Sequence, residues 1–186
     1  MNAHDRQAFV FRFFSLAFSF PDQACLRELK KAARKTGGER NAFAELSACF
    51  SSEDAECLQS EYTRLFISGY PNTPCPPYES VYREKRMLGD AAAAVQARYR
   101  EWDMTVETGL TDHIATEFEF LAFLALAASL EHSREAAGND SERFFNEHLC
   151  RWVPGFCTDL ERAALLDPYR KLAGLLRESL GMCGKA

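Results

Sequence analysis

The sequence predicts an all-α fold: a single compact helical bundle over residues 1–186, with about nine or ten helices and a proline-rich crossover loop. Three observations carry that prediction. Apolar residues recur at helical spacing along nearly the whole chain, no stretch sustains the period-two alternation of a half-buried strand, and 10 Gly with 7 Pro are too few for many tight hairpins. A chain of 186 residues can bury about 70% of the surface it exposes unfolded, so its core needs neither a disulfide nor a metal.

Each element follows from local signals. Phe9, Phe13, Leu16 and Ala17 mark a first helix, ended by Pro21-Asp22. Cys25, Leu26, Leu29 and Ala33 mark a second that stops at Gly37-Gly38, and Phe43, Leu46 and Phe50 a short third. Ser52, followed by Glu53, Asp54 and Glu56, reads as an N-cap with an acidic first turn that the helix dipole favours. The helix it opens lines up Leu58, Tyr62, Leu65 and Phe66 as one stripe. From Tyr70 to Tyr82 four prolines fall within seven residues, which predicts a stiff, extended connector. Helix resumes around Arg86 and runs to Trp102. After a loop, Thr111-Asp112 reads as the cap of the strongest helix, with Ile114, Phe118, Leu121, Leu124, Ala125 and Ala128 on one face. Gly138-Asn139 predicts a turn, Ser141-Glu142 a new helix start, and Pro154 and Pro168 two more starts. The last helix carries Tyr169, Leu172, Leu175, Leu176 and Leu180.

Composition narrows the function. The net charge is −5, with 8 Lys/Arg against 5 Asp/Glu in residues 1–50 and 14 against 22 thereafter. The pI near 5.5 argues against a nucleic-acid binder, and the acidic larger part suits either plain solvation or a basic partner. Seven cysteines, an odd number without a Cys-x-x-Cys pair, suit a reduced, cytosolic protein. Phe9–Phe20 resembles a signal-peptide core in composition. Arg12 interrupts it, however, and the uncharged run Phe13–Pro21 is far below the ~20 residues a membrane span needs, so it reads as a buried helix with no membrane insertion.

Motifs for catalysis are largely missing. The chain contains no phosphate-binding loop, no dinucleotide fingerprint, no nucleophile elbow and no His-Glu-x-x-His. His113 and Glu117 stand at i and i+4 and form the basis of one alternative, a small helical metalloenzyme, although no motif supplies a third ligand. Asp112-His113 with Ser80 could suggest acid–base chemistry, but a helix cap and a packed imidazole explain them better. No catalytic residue, metal or cofactor is expected. What stands out is a concentration of aromatics and prolines, Tyr62 to Tyr82, beside an apolar helical stripe. It reads equally as a crossover sealed by aromatics or as a rigid groove for a peptide helix.

The residues also carry a family resemblance. Leu65-Phe66-x-x-Gly69, then Pro76-Pro77-Tyr78-Glu79-Ser80-x-Tyr82, then Asp112-His113-Ile114-x-x-Glu117-Phe118-Glu119-Phe120-Leu121, and later Phe144–Phe156, together resemble the TorD/DmsD/NarJ family of redox-enzyme maturation chaperones. The resemblance implies an all-helical, cytoplasmic, non-enzymatic chaperone, present as a monomer or a domain-swapped homodimer. Its partner would be an apo-molybdoenzyme precursor, bound through a twin-arginine signal peptide and kept from export until its molybdopterin cofactor is inserted. Carried over by position, the peptide-binding residues are Tyr62, Leu65, Phe66, Pro77, Tyr78, Asp112 and His113. Relatives often have Trp where Tyr62 and Tyr78 stand, which points to a different choice of signal sequence. The family also raises a guanine-nucleotide switch, against which the missing phosphate loop speaks. Glu79, Glu117 and Glu119 are the candidate acidic partners of the twin arginines; on one helix Glu117 and Glu119 face different ways, so at most one of them joins the site. Leu65 and Phe66 would equally suit the core.

Overall fold

The computed structural model describes residues 3–37, 41–106 and 109–181; Cys183 lies outside them. Among the described residues there are ten α-helices and no strand. In chain order they are α1 (Ala3–Ala17), α2 (Gln23–Gly37), α3 (Ala42–Ser52), α4 (Ala55–Tyr62), α5 (Glu79–Glu84), α6 (Asp90–Arg100), α7 (Ile114–Ala127), α8 (Arg134–Phe144), α9 (Cys150–Ala163) and α10 (Asp167–Ser179). A π-helical turn, Thr63–Ile67, extends α4, and a second, Phe145–Leu149, joins α8 to α9 in one rod.

Helix α7 is the most apolar of these and forms the middle of the bundle. Ile114, Phe118, Leu121 and Leu124 are completely buried. Helix α1, with its run of phenylalanines, packs along it: the rings of Phe11 and Phe14 lie 6.3 and 5.3 Å from that of Phe118. The segment that resembled a signal-peptide core is thus a buried helix. From there packing passes in series, α1 on α2, α2 on α3, α3 on α10, α10 on α9, α9 on α5 and α5 on α6. No helix of the described residues is long and apolar enough to cross a membrane.

Several local expectations are corrected. Ser52 ends α3 instead of capping α4. The cap is Asp54, whose carboxylate accepts from the amides of Glu56 and Cys57 at 2.9 and 3.1 Å. The helix expected from Arg86 begins only at Asp90, because the Glu84 side chain turns back and accepts from the amides of Asp90 and Ala91 at 2.9 and 2.7 Å. The extended connector stops at Tyr78, and Glu79–Glu84 is helical. Gly138-Asn139 lies inside α8, which starts at Arg134, so Ser141 opens nothing. Pro154 sits within α9, one turn after the π-helical segment, where the helix continues without its N–H.

Two glycines test these assignments in opposite senses. A Cβ on Gly138 would meet nothing within 4 Å, so Gly138→Ala should raise stability by about 0.5–1 kcal/mol, as expected inside a helix. A Cβ on Gly69 would fall 2.6 Å from Pro74 and 2.7 Å from the Arg64 carbonyl, so Gly69→Ala should destabilise by about 2 kcal/mol. Urea denaturation of both variants checks the pair.

Candidate functional site

The signature motifs are far apart in sequence and meet at one seam. The proline segment lacks regular internal hydrogen bonding and is fixed from outside. The amide of Cys75 donates to the Leu65 carbonyl at 2.9 Å, which folds the segment back over the π-helical turn, and Gly69 leaves room for that return. Pro77 has no N–H to give, but its carbonyl accepts from Ile114 at 2.9 Å. Tyr78 and His113 pair as an isolated antiparallel bridge, with their rings 5.2 Å apart edge to face.

Asp112 closes the seam twice. Its carbonyl accepts from the Glu79 amide at 3.0 Å, and its carboxylate accepts from the Ser80 amide at 2.8 Å. Asp112 therefore caps α5, 32 residues earlier, instead of its own helix. The cap of α7 is His113, whose Nδ1 accepts from the Ala115 amide at 3.1 Å. That role requires the neutral imidazole, and burial pushes the His113 pKa down to about 4.

Beneath the seam lies a buried polar cluster. Glu79 and Glu117 are both fully buried. One Glu79 oxygen pairs with Arg83, and the other lies 2.8 Å from His148 Nδ1. Glu117 accepts from the Trp152 indole N–H at 3.3 Å through one oxygen; its other oxygen and the Ser80 hydroxyl are buried without a partner. Burial, reinforced by the neighbouring Glu79 charge, pushes the Glu117 carboxyl well above the usual carboxylate range.

The predicted site residues divide clearly. Leu65, Phe66, Tyr62 and Pro77 are buried, and Tyr62 spends its hydroxyl on the Phe18 carbonyl at 3.0 Å. The Phe66 ring packs between Tyr62, Phe156 and Tyr169 at 5.0, 6.2 and 5.7 Å, tying the π-helical turn to α9 and α10. Tyr78 and His113 are partly buried, and Asp112 is 1% exposed. Of the three glutamates, Glu79 and Glu117 join the seam, whereas Glu119 faces outward and pairs with Arg12 at 3.0 Å. His113 and Glu117 do not assemble a metal site. Nδ1 of His113 is committed to a backbone amide, and among the described residues no three His, Cys, Asp or Glu side chains are grouped to hold an ion.

Sequence reasoning missed the outer rim. Ile67, Tyr70, Leu165 and Phe20 are large apolar residues left 59%, 99%, 71% and 45% exposed around the α4 rod. Phe20 packs edge-on to Tyr62 at 5.5 Å. Arg64 grips Glu61 with two hydrogen bonds of 2.7 and 2.9 Å, and the same carboxylate accepts from the Leu165 amide at 2.6 Å. Burial opposes ionisation of Glu61, but Arg64 and the Leu165 amide outweigh it and hold the carboxyl below its usual range. Beside them an open cleft of about 610 Å³ runs past Phe20, Glu56 and Thr63. The i, i+3 spacing of Glu61 and Arg64 was legible as an ion pair; the approach of Leu165 was not.

The depressed His113 pKa sets a pH dependence. An imidazole titrating near 6.5 when unfolded and about 4 when folded makes the unfolded state bind more protons between those values. Its contribution is complete above pH 6.5 and is lost as pH falls toward 4. His113→Asn keeps a capping oxygen and removes the titration. Relative to this variant, the wild type should lose about 2 kcal/mol between pH 6.5 and 4 in denaturant melts.

The profile of the nitrate reductase delta subunit family matches residues 32–158, which include the whole seam. Among curated proteins the chain is similar to the chaperone protein TorD of Vibrio cholerae, 31% identical over 132 residues, 65% of this chain and 60% of that one. It is 33% identical over 116 residues to the chlorate reductase assembly chaperone protein of Ideonella dechloratans, 57% of this chain and 58% of that one. It is 29% identical over 116 residues to the selenate reductase assembly chaperone protein of Thauera selenatis, with the same shares. The chain thus spans about 60% of the length of the curated relatives it matches. A crystal structure described as a candidate redox enzyme maturation protein from Archaeoglobus fulgidus superposes with a TM-score of 0.71 at 28% identity, covering 94% of this chain and 93% of that one. The match covers more than half of the chain, and the chain belongs to the nitrate reductase delta subunit family.

Proposed function

We propose that the chain is a cytoplasmic, non-catalytic chaperone for a molybdopterin-dependent oxidoreductase. It binds the enzyme's twin-arginine signal peptide and its apo form, and holds back export until the cofactor is inserted. Relatives named as assembly chaperones of chlorate and selenate reductases support the role, and their names describe chaperones, not catalysts. The observation that carries the reading is the apolar rim. Ile67, Tyr70, Leu165 and Phe20 stand exposed beside the buried signature residues Tyr62, Leu65, Phe66, Pro77 and Asp112 and the partly buried Tyr78 and His113. An exposed apolar group bordering a rigid, pinned segment suits the apolar part of a signal peptide with little ordering cost. The signal's guanidinium groups would complement an acidic chain of net charge −5.

The rim separates binding from folding. Tyr70→Ala and Ile67→Asp remove exposed side chains and should weaken binding of a synthetic twin-arginine peptide about tenfold in calorimetry, with no change in melting temperature. Asp112→Ala removes the buried cap of α5 and should cost about 1–2 kcal/mol of stability as well as affinity. Wild-type affinity in both rim variants would move the peptide elsewhere.

The client is tested in the cell. Tagged protein purified from its own host, grown anaerobically, should carry an uncleaved molybdoenzyme precursor in mass spectra, and deletion of the precursor's signal peptide should abolish the capture. Capture that persists without the signal peptide would assign binding to the enzyme body instead.

A further inference from the structure

We propose that Glu79 and Glu117 together hold one exchangeable proton that keeps the seam closed, and that pulling the proline segment and α5 away from α7 and α9 releases it. This concerns regulation of the proposed peptide site and rests on that reading only for its biological consequence; the proton itself is tested without any peptide.

The geometry requires a donor where the side chains supply none. Glu117 is fully buried, and only one of its oxygens has a partner, the Trp152 indole. Leaving a carboxylate oxygen bare in the interior is costly, and burying a second anion without a counter-charge costs more. Every group packed around it is accounted for. Helix α5 presents Glu79, Arg83 and the Ser80 hydroxyl, which makes no hydrogen bond and so does not reach the bare Glu117 oxygen; the turn before α7 presents Asp112, whose carboxylate is already bound to the Ser80 amide. Helix α6 presents Tyr99, a phenol fixed on the Thr111 carbonyl at 2.9 Å and kept neutral by burial. The π-helical turn before α9 presents His148, bound to Glu79 through Nδ1, and α9 itself presents Trp152. Glu119, two residues along α7 and so on the opposite face, points away to Arg12.

The guanidinium of Arg83 answers one carboxylate, and Glu79 takes it. A neutral Glu117 removes both difficulties, because its O–H donates to Glu79 and gives the bare oxygen its partner. Separating α5 from α7 ends that hydrogen bond and admits water. Glu117 then ionises as an ordinary glutamic acid, and the proton passes to solvent. Opening therefore becomes easier as pH rises, the direction expected when the closed state binds more protons than the open one.

Cys75 reports the opening directly: it is a free thiol, fully buried in the proline segment. Its alkylation is measured by site-resolved mass spectrometry from pH 7.5 to 9, above the His113 transition in both the closed and the open state. At each pH the wild-type rate is divided by that of Glu117→Gln, which cancels the reagent's own pH dependence. The ratio should climb steeply with pH, by up to tenfold per unit while the closed-state proton stays bound. A flat ratio would overturn the proposal. A second measurement needs no variant: wild-type protein labelled with ¹³C at glutamate carboxyls should show one protonated carboxylic acid at pH 7 in its infrared or NMR spectrum. Its absence would equally refute the shared proton, whatever the peptide experiments give.

Discussion

The seam depends on Asp112. An extended segment of prolines cannot secure itself, because it has few donors and no ladder in which to use them. Asp112 supplies an acceptor on its side chain and another on its backbone, and both reach the start of α5. Together with the bond from Ile114 to Pro77, they bring the end of the crossover against the head of the most buried helix. The tandem prolines leave the Pro77 carbonyl to the first amide of α7, the acidic residue before α7 caps a helix other than its own, and the histidine after it takes over the cap that was vacated.

Two consequences follow from closing the seam this way. The residues that carry the family signature are mostly interior, so their first task is to hold the crossover in one shape. Contact with a partner falls more naturally to the apolar residues left outside that frame, Ile67, Tyr70, Leu165 and Phe20. The other consequence is electrostatic. Bringing Glu79, Asp112 and Glu117 under one seam concentrates carboxyl groups around the guanidinium of Arg83; backbone amides relieve the charge at Asp112, and the proposed proton relieves it at Glu117.

The helical frame suits the proposed peptide-binding role, which would work through equilibrium affinity. The aromatic packing of Phe66 against Tyr62, Phe156 and Tyr169 makes the α4 rod a firm floor under the rim. Both π-helical turns lie at the seam, one bearing Leu65 and Phe66 and the other His148. Widened turns of this type are common at functional positions, since they re-aim side chains that a regular helix would stagger.

Much of this was legible in the chain itself. The helical period placed the buried stripe Leu58, Tyr62, Leu65 and Phe66 and the core face of α7, because burial of an amphipathic face repeats every 3.6 residues wherever the helix packs. Proline chemistry marked the crossover, and helix geometry placed Glu117 and Glu119 on different faces. Capping was less legible: Asp112 reads as the cap of the next helix because local spacing cannot tell which amides a carboxylate will meet. Gly138 and Pro154 reads as breaks for a similar reason, since packing carries a helix through residues that would end it alone. Pairings such as Glu79 with His148, 69 residues apart, and Glu61 with the Leu165 amide have no period and no motif. Periodicity, prolines and local charge determined the helices and the crossover because those forces act within a few residues. Only the tertiary structure decided which signature residues went inside, which apolar ones stayed exposed and where a proton was needed, because desolvation and long-range hydrogen bonding exist only once the helices have packed.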